Sequence, residues 1–126
     1  MNKPANTANK EYTKGIMKAV TYIEQHFRER ITLETLSQVS GYHPTYFSKM
    51  FNQVTGETYI ERVTSLRMNY AKMLLRKGAS VSEARIAAGF GSHSNFTAAF
   101  KKRCGMSPSE YRAEVREIQK ENQKKP

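Results

Sequence analysis

The chain has 126 residues, with 21 Lys and Arg against 11 Asp and Glu, which gives a formal net charge of +10. This length allows one compact domain or two very small ones. The single cysteine, Cys104, excludes a disulfide framework, and no run approaches the ~18 apolar residues of a membrane span. The positive charge is distributed along the whole chain, which suits a long polyanion or, about equally well, solubility alone.

The N-terminal part of the chain predicts a polar segment followed by an amphipathic helix. Residues 1–10 are polar and are expected to be disordered. Apolar residues then recur at helical spacing, which predicts a helix from about Glu11 to Phe27 that packs against the elements after it. The recurring residues are Ile16, Val20, Ile23 and Phe27.

One pattern then occurs twice, at Ile31–Gly56 and at Ala79–Gly105. Each copy has a hydroxyl residue suited to a helix N-cap, a short helix, a Gly-aromatic pair and a second helix built on Phe-x-x-x-Phe. The matched pairs are Thr32 with Ser80, Gly41 with Gly89, Phe47 with Phe96, Phe51 with Phe100, and Gly56 with Gly105. The offset grows by one residue between the glycines and the phenylalanines, so the second turn is longer. A short helix, a Gly-containing turn and a second helix form a helix-turn-helix pattern.

Caps and helix stops predict the remaining boundaries. Helices are expected at about 33–40, Pro44–Thr55, Tyr59–Arg76, about 81–88 and His93–Cys104, with a last helix from Pro108. Ser/Thr-x-x-Glu sequences that begin at Thr58, Ser80 and Ser107 predict capping boxes. After Arg116 the apolar stripe ends, and the last helix is expected to fray there.

These elements predict an all-α fold of about seven helices, in which a long linker helix joins two helix-turn-helix subdomains. The predicted segments are a disordered N-terminal segment (1–10), the first subdomain (11–57), the linker helix (58–77), the second subdomain (78–116) and a polar tail (117–126). The linker helix should measure roughly 27 Å, and major grooves on one face of B-DNA recur about every 34 Å. Such a helix could hold two reading helices in successive grooves. Because their polar faces differ, the bound site should be asymmetric.

The motifs of both copies resemble the DNA-binding domain of the AraC/XylS family of bacterial transcription regulators. The most specific segment contains Gly89-Phe90, Ser92, Phe96, Phe100-Lys101 and Gly105-Met106-Ser107-Pro108-Ser109-Glu110-Tyr111-Arg112. The resemblance covers about residues 12–113, and the small size is similar to that of MarA/SoxS-type members. It implies seven helices, with the second helix of each copy inserted in successive major grooves.

The resemblance also implies which positions read bases. They are Thr45, Ser48 and Lys49 on the first reading helix and His93, Ser94, Thr97 and Ala98 on the second. Candidates for phosphate contacts are Asn52, Arg67, Ser92, Asn95, Lys101 and Lys102. For Arg67, and similarly for Arg85, a structural role is an equally open alternative. MarA-type members place Trp, Gln and Arg on the first reading helix and Gln and Arg on the second, so the smaller side chains here imply a different target site.

Together these features predict a sequence-specific transcription regulator whose partners are double-stranded DNA and RNA polymerase. An activator is expected, with repression as the open alternative because the residues do not determine the sign of regulation. It is expected to bind DNA as a monomer, unless it is part of a longer dimeric regulator, and to be cytoplasmic and nucleoid-associated. No cofactor, metal site or enzymatic activity is expected, because the histidines lack ligand spacing and no nucleophile–base–orienter set occurs. Two alternatives stay open: a non-specific architectural or RNA-binding protein, and a protein-interaction module that contacts RNA polymerase without DNA.

Overall fold

The computed structural model describes the backbone of residues 6–124 and the side chains of residues 13–123. Within that range the chain forms seven α-helices and no strand, which confirms the all-α prediction. The helices are α1 (Asn6–His26), α2 (Leu33–Ser40), α3 (Pro44–Thr55), α4 (Tyr59–Arg76), α5 (Val81–Ala88), α6 (His93–Cys104) and α7 (Pro108–Lys124).

Both terminal helices extend beyond the bounds that the sequence pattern indicates. Helix α1 begins at Asn6, so residues 6–10 of the predicted N-terminal segment are helical, and residues 1–5 lie outside the described part. Helix α7 continues beyond Arg116 to Lys124. The side-chain amide of Gln119 donates a hydrogen bond of 2.9 Å to the carbonyl oxygen of Arg76. This tertiary contact stabilises a stretch of helix that has no apolar stripe of its own.

The chain divides into two compact units, and the first comprises residues 1–66. Its core lies between α1, α2, α3 and the first part of α4. The buried residues are Ile16, Ala19, Val20, Ile23, Leu36, Phe47, Met50, Phe51 and Val63. The predicted stripe of α1 therefore faces this core, with Phe27 half-buried against it.

The second unit comprises residues 67–126. Its buried residues are Met68, Ala71, Leu75, Ala84, Ala88, Phe96 and Phe100. The rings of Phe96 and Phe100 lie 5.7 Å apart between centroids, and the Phe100 ring meets that of Tyr111 in α7 at 5.4 Å. Such edge-to-face contacts add to the free energy gained by burying the rings. Since α4 contributes Val63 to the first core and Leu75 to the second, one helix belongs to both units.

Polar contacts at the helix starts confirm the predicted capping boxes at α4, α5 and α7. At each start a Ser or Thr hydroxyl accepts the backbone N–H of a Glu, whose carboxylate accepts the N–H of the capping residue. The pairs are Thr58 with Glu61, Ser80 with Glu83, and Ser107 with Glu110. The backbone N–H and hydroxyl of Ser80 hold the pKa of Glu83 below its ordinary value, and the positive charge of Arg112 lowers this pKa further.

Helix α1 approaches α2 closely enough that one position excludes a side chain. A Cβ atom at Gly15 would lie 2.8 Å from the carbonyl oxygen of Ser40 and 3.1 Å from the ring of Tyr42. Gly15 therefore lets α1 pack against the end of α2 and the turn that precedes α3. This contact helps to position the turn before α3.

Candidate nucleic-acid interface

The turn between α2 and α3, residues 41–43, orients α3 with its apolar side inward. Gly41 adopts a left-handed conformation, with φ of 83°, and its N–H donates to the carbonyl oxygen of Ser37 at 2.9 Å. Glycine adopts such a φ without steric cost and so ends the helix. Pro44 then occupies the first turn of α3, where its missing N–H costs nothing. Because Phe47, like Met50 and Phe51, is buried, the opposite face of α3 points to solvent.

The outward face of α3 carries the predicted base-reading residues. Thr45 and Lys49 are exposed, Ser48 is half-buried, and the phosphate candidate Asn52 is exposed. These residues offer hydroxyls, an amide and one cation, which can hydrogen-bond to base edges or phosphates. The face also includes Tyr46, which the sequence reasoning missed. Its side chain is 40% exposed, and its ring meets that of Tyr42 edge-on with centroids 5.7 Å apart.

The signal for Tyr46 was present in the sequence but ambiguous. An aromatic residue next to the buried Phe47 fits a wide apolar stripe as well as an exposed face. Only the packing of α3 shows that this ring lies at the border between the core and the polar face. There its ring can make a larger apolar contact with a nucleotide than the methyl group of Thr45 can.

Helix α6 is held by a different arrangement. The hydroxyl of Ser92 accepts the N–H of Asn95 at 3.2 Å and lies 3.0 Å from the hydroxyl of Ser94. Ser92 is therefore the N-cap of α6, so this phosphate candidate already has a structural role. Phe96 and Phe100 are fully buried and turn the remaining side of the helix outward.

The outward face of α6 brings together the second set of predicted residues. His93, Ser94, Asn95 and Ala98 are exposed, and Thr97 is half-buried. The hydroxyl of Thr97 lies 3.5 Å from Nε2 of His93, so these two side chains adjoin on one face. Lys101 and Lys102 are exposed in the last turn, where cations interact favourably with the helix dipole. The cations of α6 thus lie at its end, whereas the cation of α3 lies at its middle.

Arg67 lies outside both faces, in α4. Its side chain is half-buried, and this burial lowers the pKa of the guanidinium below its ordinary value. Arg67 therefore differs from the exposed lysines of α6 in its access to solvent.

The described residues contain no group of His, Cys, Asp and Glu side chains that could hold a metal ion. Over the same part of the chain, no helix is long and apolar enough to cross a membrane. Cys104 is half-buried and has a free thiol.

Known proteins with the same fold and related sequences define the family. A helix-turn-helix domain family matches residues 36–114. The chain is 36% identical over 95 residues to the uncharacterized HTH-type transcriptional regulator YobQ of Bacillus subtilis, which covers 75% of this chain and 39% of YobQ. The C-terminal domain of AraT, a response regulator from Geobacillus stearothermophilus, is 33% identical with a TM-score of 0.73, over 79% of this chain and 84% of that domain. The DNA-binding domain of the global transcriptional factor AdpA, solved with a target DNA, is 27% identical with a TM-score of 0.77, over 82% and 95%.

The chain belongs to the AraC-type helix-turn-helix family, as its motifs suggested. The match begins within α2 and extends over the rest of the first helix-turn-helix copy, α4 and the second copy. The chain spans about two fifths of the length of YobQ. Family membership therefore applies to the helix-turn-helix fold of this chain. It does not extend to the activities of longer relatives such as YobQ.

Proposed function

We propose that the chain is a sequence-specific transcription regulator that binds double-stranded DNA at an asymmetric site, with α3 and α6 in successive major grooves. The observation that carries this proposal is the duplicated helix-turn-helix with two unlike polar faces. A buried Phe pair fixes each second helix, so that each presents a solvent-facing row of hydrogen-bonding side chains. An α-helix of this kind fits the major groove of B-DNA.

Some side chains on these two faces would contact base edges, and others would contact phosphates. Thr45, Ser48 and Lys49 on α3, and His93, Ser94, Thr97 and Ala98 on α6, would contact base edges. The remaining exposed cations and amides, Asn52, Asn95, Lys101 and Lys102, would contact phosphates, as would Arg67 and Ser92 to the extent that their burial and capping allow. Phosphate contacts supply affinity that depends on salt, and base contacts supply discrimination.

Two arguments support successive grooves and an asymmetric site. An 18-residue helix such as α4 measures roughly 27 Å, which is close to the ~34 Å between major grooves on one face of DNA. The structural similarity to the AdpA domain, whose structure contains a target DNA, supports binding in a related manner. Since α3 and α6 carry different residues, one chain would read two unlike half-sites.

The partners of the complete protein follow from the same proposal. Such a regulator would act on bacterial chromosomal DNA as an activator that contacts RNA polymerase, without enzymatic activity and without a cofactor. It would bind as a monomer unless a longer chain supplies a dimerisation domain. Relatives described as a transcriptional regulator and as an operon regulatory protein support the regulatory part of this proposal.

Selection of bound sequences from a random duplex library tests the proposal. A directional consensus with two unlike halves is expected, and affinity for it should fall steeply with salt yet stay above that for random duplex. Equal affinity for all duplexes would support the architectural alternative instead. Binding to RNA polymerase without affinity for DNA would support the interaction module.

Replacement of Lys49 by Ala tests the assignment of α3. We expect a loss of about 1–3 kcal/mol in binding free energy, confined to one half of the selected site, because Lys49 would contact only the bases or phosphates below α3. Lys18→Ala removes the same charge from an exposed position of α1 and serves as the matched control. Protection from cleavage along the duplex reports the loss by position. An even loss over the whole site would contradict the assignment.

A further inference from the structure

The second helix-turn-helix has one residue more between its helices than the first. The first turn comprises residues 41–43 and the second residues 89–92. The longer, second turn includes Gly91, which is exposed and has open space where a Cβ atom would lie. Nothing therefore packs against the turn at this position. A longer turn that is open at Gly91 would leave the start of α6 poorly fixed unless a contact elsewhere in the turn restrains it.

Arg85 of α5 provides that contact. Its carbonyl oxygen accepts the N–H of Phe90 at 3.1 Å, and its guanidinium Nη1 donates to the carbonyl oxygen of the same residue at 2.9 Å. The N–H of Gly89 also bonds to the Arg85 carbonyl. Phe90 is thus held through both ends of its backbone by one residue. Its ring also packs against Phe96 of α6, with centroids 4.9 Å apart.

The first copy lacks this restraint at the matching position. Ser37 takes the place of Arg85, 48 residues earlier, and its carbonyl oxygen likewise accepts the N–H of Tyr42 at 3.1 Å. Its hydroxyl, however, is buried without a hydrogen-bond partner. The backbone bond that ends the short helix is therefore common to both copies. A side-chain bond from this position, to the carbonyl oxygen of the aromatic residue, is made by Arg85 but not by Ser37, and in the first turn the Ser40 hydroxyl accepts the N–H of Tyr42 at 3.2 Å instead.

The placement of Arg85 is costly for the fold. The side chain is half-buried, and its Nε is buried without a hydrogen-bond partner. An unsatisfied buried donor on a charged group opposes folding. A small residue at this place would avoid that cost, so the contribution of Arg85 lies in the geometry that it imposes on Phe90 and on Gly91, which leads into the cap of α6 at Ser92.

We propose that Arg85 is a positioning residue for DNA recognition, which sets the orientation of α6 without touching DNA. This inference rests on the proposed function, since it assigns the role of α6 to reading a half-site. The guanidinium fixes Phe90, and Phe90 fixes both the turn and, through its ring, the buried side of α6. His93 and Ser94 follow directly after the cap, so their position over the bases depends on this turn.

Replacement of Arg85 by Met tests the proposal, because Met keeps the aliphatic length and removes the donor. Binding of the full chain to the duplex library should show about a tenfold loss of base discrimination in the half-site read by α6, with the other half unchanged. The salt dependence of binding should equal that of the unsubstituted chain, because no phosphate contact is lost. Arg85→Lys keeps one donor within reach of Phe90 and should restore most of the discrimination.

Arg116→Met is the matched control, since it removes the same charge from an exposed position of α7. It should leave the discrimination in both half-sites unchanged. Thermal unfolding should show that Arg85→Met folds with a midpoint close to that of the unsubstituted chain. If the Met variant does not fold, Arg85→Lys is measured in its place. A Lys variant that folds but shows no base preference in the half-site read by α6 would overturn the proposal.

Two outcomes would contradict the positioning role of Arg85 alone, and a third would contradict the proposed function as well. Unchanged base preference in Arg85→Met would overturn it alone. A salt slope that falls by about one phosphate contact, with preference retained, would show instead that Arg85 binds a phosphate. If the unsubstituted chain prefers no sequence, the proposed function itself is wrong, and the positioning role falls with it.

Discussion

The two helix-turn-helix copies have the same interior and different exteriors. In both, a glycine with positive φ ends the short helix and a fully buried Phe-x-x-x-Phe pair anchors the second. The polar contacts around this frame differ. The first short helix has a Thr32 cap that accepts the N–H of Thr35, whereas the second has a complete capping box of Ser80 and Glu83. The buried spacing determines the fold, and the surrounding polar contacts are free to diverge.

The second helices show the same separation of interior and exterior. The N-cap residue of α3, His43, makes no side-chain cap hydrogen bond and is followed by Pro44, whereas the hydroxyl of the N-cap residue Ser92 caps α6. The three basic residues of α6 lie in its last turn, and α3 has none there. Two copies of one scaffold therefore offer two distinct surfaces. This difference is the basis for proposing that one chain reads two unlike half-sites.

The largest expected effect tests the shared interior. Phe47→Ala and Phe96→Ala should each lower the free energy of unfolding by about 3–5 kcal/mol, because both rings are fully buried and each replacement leaves a cavity. Urea-induced unfolding measures both values. If one replacement costs less than about 1 kcal/mol, the two cores are not equivalent. The Leu variants at both positions provide milder versions in case the Ala variants do not fold.

A smaller effect on stability should distinguish Gly15 in the first unit from Gly91 in the second. Gly15→Ala should destabilise the first unit by about 1–3 kcal/mol, since the new Cβ would lie 2.8 Å from the backbone oxygen of Ser40. In an open helix the same change would stabilise by about 1 kcal/mol, so the close contact decides the sign. Gly91→Ala is the control, because it has open space and no positive φ. It should be neutral or stabilising by up to about 1 kcal/mol in thermal unfolding. Equal effects of the two changes would refute the close contact.

The unpaired hydroxyl of Ser37 predicts a gain in stability. Ser37→Ala should raise the free energy of unfolding by about 0.5–1 kcal/mol, because it removes a buried polar group without a partner and improves helix propensity. Denaturant unfolding reports the change. Ser40→Ala is the comparison and should not stabilise, since the Ser40 hydroxyl donates to the Ser37 carbonyl oxygen and accepts the N–H of Tyr42. A loss of stability in Ser37→Ala would show that its hydroxyl is satisfied in solution.

The smallest effect concerns pH and the capping box of the second copy. The bonds to Ser80 hold the pKa of Glu83 below its ordinary value of 4.5, so this carboxylate stabilises the folded state above pH 4.5. That contribution is lost as the pH falls through the lowered pKa of the folded state. Glu83→Gln keeps an acceptor but cannot titrate, so its thermal stability should decline less steeply between pH 5 and pH 3 than that of the unsubstituted chain. Thr35→Gln, at the matching position of the first copy, should leave the pH dependence unchanged. Parallel acid profiles for Glu83→Gln and the unsubstituted chain would exclude the effect.

Much of the fold could be predicted from local patterns. The bounds of α3, α4 and α6 agree with the prediction, because proline, the capping boxes and the stop glycines act within a few residues of each boundary. The extension of α7 could not be predicted, since it depends on a bond from Gln119 to the distant Arg76. The outward positions on α3 and α6 followed from the buried Phe pairs. Their contacts with DNA stay a prediction.

The sequence by itself determined the duplicated helix-turn-helix, its buried spacing and the difference between its two polar faces, because these depend on residues three or four positions apart. The tertiary structure decided which interactions hold each copy in place. Arg85 could have faced a phosphate or the fold, and only the packed turn shows its guanidinium on the Phe90 carbonyl. The need for Gly15 likewise arises from Ser40, far along the chain, since only folding brings two helix backbones that close.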